Sequence, residues 1–199
     1  MAEETRTFVA LQLPTPLRAE IEQLLNLLRR DRSRDPVRWV APANLHLTLR
    51  FIGDIALASV AAISTQLQSL ATHSPFSLDM GGIGYFPNEQ KPQVVWLGLH
   101  GRGLAELHRL QQGVDAALKR AGAAPAADTR PFSPHITLGL VDARKVQARE
   151  LTMLHQRVKA LAVEEVASWL VSDLSLMDST RTPSGPLYSA LRTVYLAGS

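Results

Sequence analysis

Two short stretches of this 199-residue chain hold the side chains best suited to acid–base chemistry: His46-Leu47-Thr48-Leu49 and His135-Ile136-Thr137-Leu138. They lie 89 residues apart, close to half the chain length. On a β-strand, residues i and i+2 share a face, and i+1 and i+3 point the other way. The pattern therefore predicts two strands, each presenting an imidazole and a hydroxyl on one face and two aliphatic side chains to a core. If two similar lobes face each other, two His and two Thr converge.

Such a set suits a reaction at phosphorus. Imidazole titrates nearest neutral pH, with an unperturbed pKa of about 6.5. A neutral His takes a proton from water while a protonated one gives a proton to a leaving oxygen. Two Thr hydroxyls donate to non-bridging phosphate oxygens and fix the in-line geometry. This scheme needs neither a metal nor a covalent intermediate.

Other chemistries fit less well. The chain has no Cys, which excludes a disulfide scaffold, a thiolate metal site and a Cys nucleophile. Four further His (His73, His100, His108 and His155) are scattered, and none forms a helical i, i+4 pair of the zinc-protease kind. They are read as core or surface residues, so no metal and no cofactor are expected. No Gly-x-Ser-x-Gly occurs, which argues against a serine hydrolase. The glycine cluster Gly81-Gly82-Ile83-Gly84 lacks the spacing and following helix of a nucleotide fingerprint.

The elements that must position the two motifs are legible in outline. Thr7 to Leu13 reads as a strand. Thr15 is an expected N-cap and Pro16 a first helical residue, opening a helix to about Arg30 with Leu17, Ile21, Leu24, Leu25 and Leu28 on one face. Arg38 to Val40 is extended, and Leu45 to Ile52 is the first motif strand. A helix from Leu57 to about Leu70 follows. Strands over Phe76 to Ile83 and Gln93 to Leu99 flank a turn-rich loop, Gly84 to Pro92. A third helix runs from Leu104 to about Ala121, and a small-residue linker follows to Asp128. The second motif strand is His135 to Val141, and a fourth helix covers Val146 to Val158. Trp169 to Met177 and Tyr188 to Leu196 close the chain as strands. Helices interspersed with strand pairs that lack a helix between them predict an α+β fold with largely antiparallel sheets.

Composition agrees with one domain spanning residues 1–199. Hydrophobic residues make up 46% and charged residues 20%. The net charge of +3 suits a polyanion such as RNA without demanding one. The densest basic stretch, Arg29, Arg30, Arg32 and Arg34, reads as a solvated helix end. No segment has 18 uninterrupted apolar residues, and the acidic N-terminal stretch shows no signal-peptide pattern, so no membrane partner and a cytoplasmic location are expected.

With these residues in view, the sequence resembles the two-histidine phosphoesterase superfamily, and specifically its RNA 2′,3′-cyclic phosphodiesterases, historically called 2′-5′ RNA ligases. The two His-x-Thr motifs carry the resemblance. Supporting it are Arg6-Thr7-Phe8-Val9-Ala10-Leu11, Arg38-Trp39-Val40, Asn44-Leu45, Phe51-Ile52-Gly53, Val94-Val95-Trp96-Leu97-Gly98, Arg130-Pro131-Phe132-Ser133-Pro134, Leu174-Ser175-Leu176-Met177 and Gly185-Pro186-Leu187-Tyr188. The resemblance implies a bilobal α+β fold of two pseudo-symmetric lobes with outer helices and a cleft between them. It implies metal-independent hydrolysis of an RNA 3′-terminal 2′,3′-cyclic phosphate to a 2′-phosphate. It also implies 2′-5′ joining of tRNA halves through the same phosphoryl chemistry.

By position, His46 is the proton donor and His135 the proton acceptor, and Thr48 and Thr137 bind phosphate. Relatives often carry an Arg five residues after the second His, where this chain has Leu140. By period 2, Arg50 shares the face of His46 and Thr48, which makes it the expected substitute. Candidate base-stacking residues are Trp39, Tyr85 and Phe86. A monomer is expected. The rival functions are a phosphodiesterase of small cyclic or 2′-5′-linked nucleotides and a non-catalytic RNA-end-binding protein.

Overall fold

The computed structural model describes residues 4–29, 35–123, 131–142, 144, 146–161, 165–183 and 185–198. Most of the basic stretch after Arg29 and most of the Ala121–Asp128 linker lie outside the described residues. The elements are β1 (Glu4–Gln12), α1 (Thr15–Leu28), β2 (Val37–Trp39), β3 (His46–Ala56), α2 (Ser59–Leu67), β4 (Phe76–Phe86), β5 (Val94–His100), α3 (Leu104–Arg120), β6 (His135–Val141), α4 (Ala148–Leu161), β7 (Ala167–Val171), β8 (Asp173–Thr182) and β9 (Gly185–Tyr195).

The α+β expectation holds. The strands form one antiparallel sheet in the order β7-β4-β5-β6-β3-β1-β8-β9, with β2 paired to β6. The sheet has two related halves. In the first, β1, α1, β3 and α2 come in that order, with β2 between α1 and β3; in the second, β5, α3, β6 and α4 follow one another. Each half pairs its motif strand with the strand before the helix. The halves join through β3 and β6 at the pair Leu47↔Ile136. These are the second residues of the two motifs, so the pseudo-two-fold axis passes between the motifs themselves.

One face of the sheet is covered by helices. Leu47, Leu49, Ile136 and Leu138 point there and pack with Leu17, Ile21 and Leu25 of α1, Ile63 and Leu67 of α2, and Leu107, Leu110 and Val114 of α3. Leu154 of α4 covers Val37 and Val95 on the same side. The apolar stripe read from the sequence of α1 is the stripe it buries. Its start differs by one residue. Pro14 holds the N-cap position, Thr15 is already helical, and no side chain caps the helix.

Other boundaries differ too, and two of these differences concern how the strands pair. The segment Trp169 to Met177 is two strands that break at Ser172, because β7 pairs with β4 at one edge while β8 pairs with β1 and β9. The expected loop from Gly84 is strand as far as Phe86. There Gly84 lies opposite Trp96, and a Cβ on it would fall 2.1 Å from the indole ring.

Candidate active site

The seam pair sets the geometry of the motifs. One step either side of Leu47↔Ile136, antiparallel register puts His46 against Thr137 and Thr48 against His135. All four side chains leave the sheet on the face opposite the helices. The sheet bonds that build its core thus gather both motifs around one point.

Each histidine is oriented in the same way. His46 Nδ1 donates to the carbonyl of Asn44 at 2.7 Å, and His135 Nδ1 donates to the carbonyl of Ser133 at 2.7 Å. A carbonyl only accepts, so this partner assigns the proton to Nδ1 and leaves Nε2 as the working nitrogen. Thr48 Oγ1 lies 3.1 Å from His46 Nε2. Neither Asn44 nor Ser133 was singled out in the sequence for this work. The repeated offset of two residues, each just before its motif strand, is the signal that would have marked them.

Aromatic rings wall both imidazoles. Phe8 packs on His46 at 5.0 Å and Tyr188 meets it edge-on at 5.2 Å. Phe86 meets His135 edge-on at 4.9 Å and leans on Trp96 at 5.2 Å. Of the candidate stacking residues, only Phe86 reaches the site. Trp39 packs under α4 and its indole N–H donates to Asp35 at 2.8 Å. Tyr85 also packs there, against His155. Tyr188 arrives through the β8–β9 hairpin, which Asn44 ties down by donating from its side chain to the Pro186 carbonyl at 2.9 Å.

These surroundings lower the pKa of His46 from its ordinary 6.5. Burial is the main cause. The Asn44 carbonyl partly offsets it by favouring the cation, and the charge of His135 lowers it further.

The structure places Arg50 elsewhere. Across β1 and β3, Ala10 lies opposite Thr48 and Val9 opposite Arg50, so Leu49 is an extra residue in a bulge. The bulge resets the alternation and sends Arg50 to the helix side with buried Val9. There its Nε donates to Asp115 of α3 at 2.5 Å, a second guanidinium nitrogen reaches the same carboxylate, and Gln111 supports Asp115 at 2.8 Å. The second motif carries the matching irregularity. Val95 lies opposite Gly139 and Trp96 opposite Thr137, which makes Leu138 the extra residue. Arg50→Ala is expected to lower stability by ~1 kcal/mol, the scale of a half-exposed ion pair with hydrogen bonds, and to change KM by less than about twofold. Urea denaturation and steady-state kinetics check both. A large rise in KM at unchanged stability would return Arg50 to the phosphate.

Among the described residues, no group of three potential ligands gathers to hold a metal ion. No described helix is long and apolar enough to cross a membrane. A surface depression of about 320 Å³ lined by Glu4, Arg6, Asp54, Ser179 and Arg181 lies at the far end of β1 and contains no histidine.

The 2′-5′ RNA ligase superfamily model matches residues 13–183, a span that includes both motifs. The chain belongs to this superfamily. Relatives named RNA 2′,3′-cyclic phosphodiesterase include one from Aeropyrum pernix, 36% identical over 82% of this chain and 89% of its own length. Another, from Archaeoglobus fulgidus, is 33% identical over 94% of this chain and 98% of its own. Among solved structures, E. coli LigT complexed with 3′-AMP superposes with a TM-score of 0.76 at 26% identity, covering 98% of this chain and 99% of that one.

Proposed function

We propose that this superfamily member hydrolyses the 2′,3′-cyclic phosphate at an RNA 3′ end to a 2′-phosphate, with the histidine pair as acid and base. The observation that carries the reading is the seam. A single cross-strand pair brings two His-x-Thr motifs together, with matching Nδ1–carbonyl bonds to both imidazoles. The relatives named RNA 2′,3′-cyclic phosphodiesterase support the substrate class.

In the step proposed, His135 Nε2 takes a proton from water as the water oxygen attacks phosphorus. His46 Nε2–H gives a proton to O3′ as the P–O3′ bond breaks. Thr48 and Thr137 donate to the non-bridging oxygens, where charge accumulates. With an RNA 5′-hydroxyl in place of water, the same step in the same direction joins ends such as tRNA halves: the 5′ oxygen attacks phosphorus, P–O3′ breaks, and a 2′-5′ linkage remains. The acting unit proposed is a monomer of one domain, because both motifs come from one chain.

Burial opposes the protonated His46 that this step needs, and the negative charge of a bound phosphate offsets that effect. Two consequences follow for pH. The kcat/KM profile, which reports the free enzyme, is a bell set by one acid and one base. The kcat profile reports the loaded site, and its alkaline limb lies at higher pH than that of kcat/KM. A short oligonucleotide ending in a 2′,3′-cyclic phosphate, turned over in excess EDTA across this range, tests the proposal. Loss of activity with EDTA and recovery on adding zinc or manganese would overturn the metal-independent mechanism. Tight end binding without turnover would make the protein an RNA-end binder.

A further inference from the structure

The open face of the second half carries a row of side chains that the chemistry above leaves unused. Cross-strand register sets Phe86 opposite Val94, Val94 opposite Leu140, and Leu140 opposite Arg38. Directly opposed residues in antiparallel strands point to the same side. The side is fixed by Phe86, whose ring lies on His135, and by the next residues along, Val37 and Val95, which are buried under α4. One row thus crosses β4, β5, β6 and β2 on the face of the two histidines. It begins in a phenyl ring and ends in a guanidinium.

The row is poorly explained by folding alone. Leu140 is 38% exposed in a strand whose other leucine, Leu138, is fully buried. Arg38 is exposed, and no carboxylate among the described residues pairs with it. Arg38 nevertheless lies within electrostatic reach of Tyr188, the residue that packs edge-on against His46.

Position along β6 says what the row meets. Leu140 stands three residues beyond Thr137, ~10 Å along a regular strand and somewhat less across the bulge. That is a neighbouring seat and not the place of the reacting phosphate, which the proposed step sets among the His and Thr pairs. A guanidinium matches a phosphodiester, and an apolar shelf ending in a phenyl ring matches the face of a base.

Resting on the phosphodiesterase reading, we propose that the row Arg38–Leu140–Val94–Phe86 seats the nucleotide immediately 5′ of the cyclic end. Arg38 holds the phosphodiester that links it to the terminal nucleotide. The site would then favour an RNA strand over an isolated cyclic nucleotide.

The experiment compares kcat/KM on adenosine 2′,3′-cyclic phosphate with that on the dinucleotide ApA ending in a 2′,3′-cyclic phosphate. The wild-type ratio is expected to favour the dinucleotide. Arg38→Ala is expected to cut that ratio on the order of tenfold, the scale of one charged hydrogen-bonded contact, with partial recovery in Arg38→Lys. Arg38→Ala should also flatten the salt dependence seen with the dinucleotide. Circular dichroism melts confirm that the variants are folded, and Arg38→Gln serves if the alanine variant is not. An unchanged ratio, or equal loss on both substrates, would overturn the proposal. No turnover of either substrate by the wild-type protein would instead overturn the phosphodiesterase reading beneath it.

Discussion

His46→Ala and His135→Ala are each expected to lower kcat at least ~10²-fold, because each removes one of the two proton transfers at phosphorus. The double variant should be little worse than the poorer single one, since the pair acts as a unit in one step. Both imidazoles are partly exposed and neither fills the core, so the proteins should fold. Single-turnover rates on an RNA cyclic phosphate, with thermal melts alongside, measure this. Near-wild-type turnover in either single variant would remove that histidine from the mechanism. Multiplying losses in the double variant would mean that the two act in separate steps.

Leu47→Ala is expected to cost ~2–5 kcal/mol of stability, the range for deleting a fully buried leucine whose cavity collapses only in part. Leu47 has no exposed surface and sits at the seam pair. Activity at temperatures where the variant stays folded should fall too, because the pair that the cavity loosens sets both motifs in register. Leu27→Ala is the control. Leu27 is 65% exposed on α1, and its replacement should stay within ~0.5 kcal/mol. Urea denaturation of both variants gives the comparison. Equal, small losses would show that the seam does not hold the halves together.

The motif strands were legible because alternation is local: His46 and Thr48 on one face, Leu47 and Leu49 on the other, repeated at His135. The helices were legible for the same reason, since the stripe of α1 is written in five apolar residues. The face of Arg50 was not. Its reversal comes from the bulge at Leu49, and a bulge is set by the register of the partner strand, here Val9 and Ala10 of β1. Period 2 counted along β3 alone places Arg50 on the wrong side. The break at Ser172 has a similar origin, because two partners on opposite edges of the sheet divide one apolar run. Tyr188 was out of reach for another reason. It touches His46 from 142 positions along the chain, brought there by the β8–β9 hairpin and the bond from Asn44 to Pro186.

The roles given to the two histidines fix which bond breaks. If His46 protonates O3′ and the water held by His135 lies in line opposite, only P–O3′ is cleaved. Mapping the phosphate on the product of an oligonucleotide 2′,3′-cyclic phosphate, by phosphorus NMR, reads this directly. The account predicts a 2′-phosphate alone. A 3′-phosphate, or a mixture of the two, would mean that the substrate lies the other way across the seam and that the donor and acceptor are reversed.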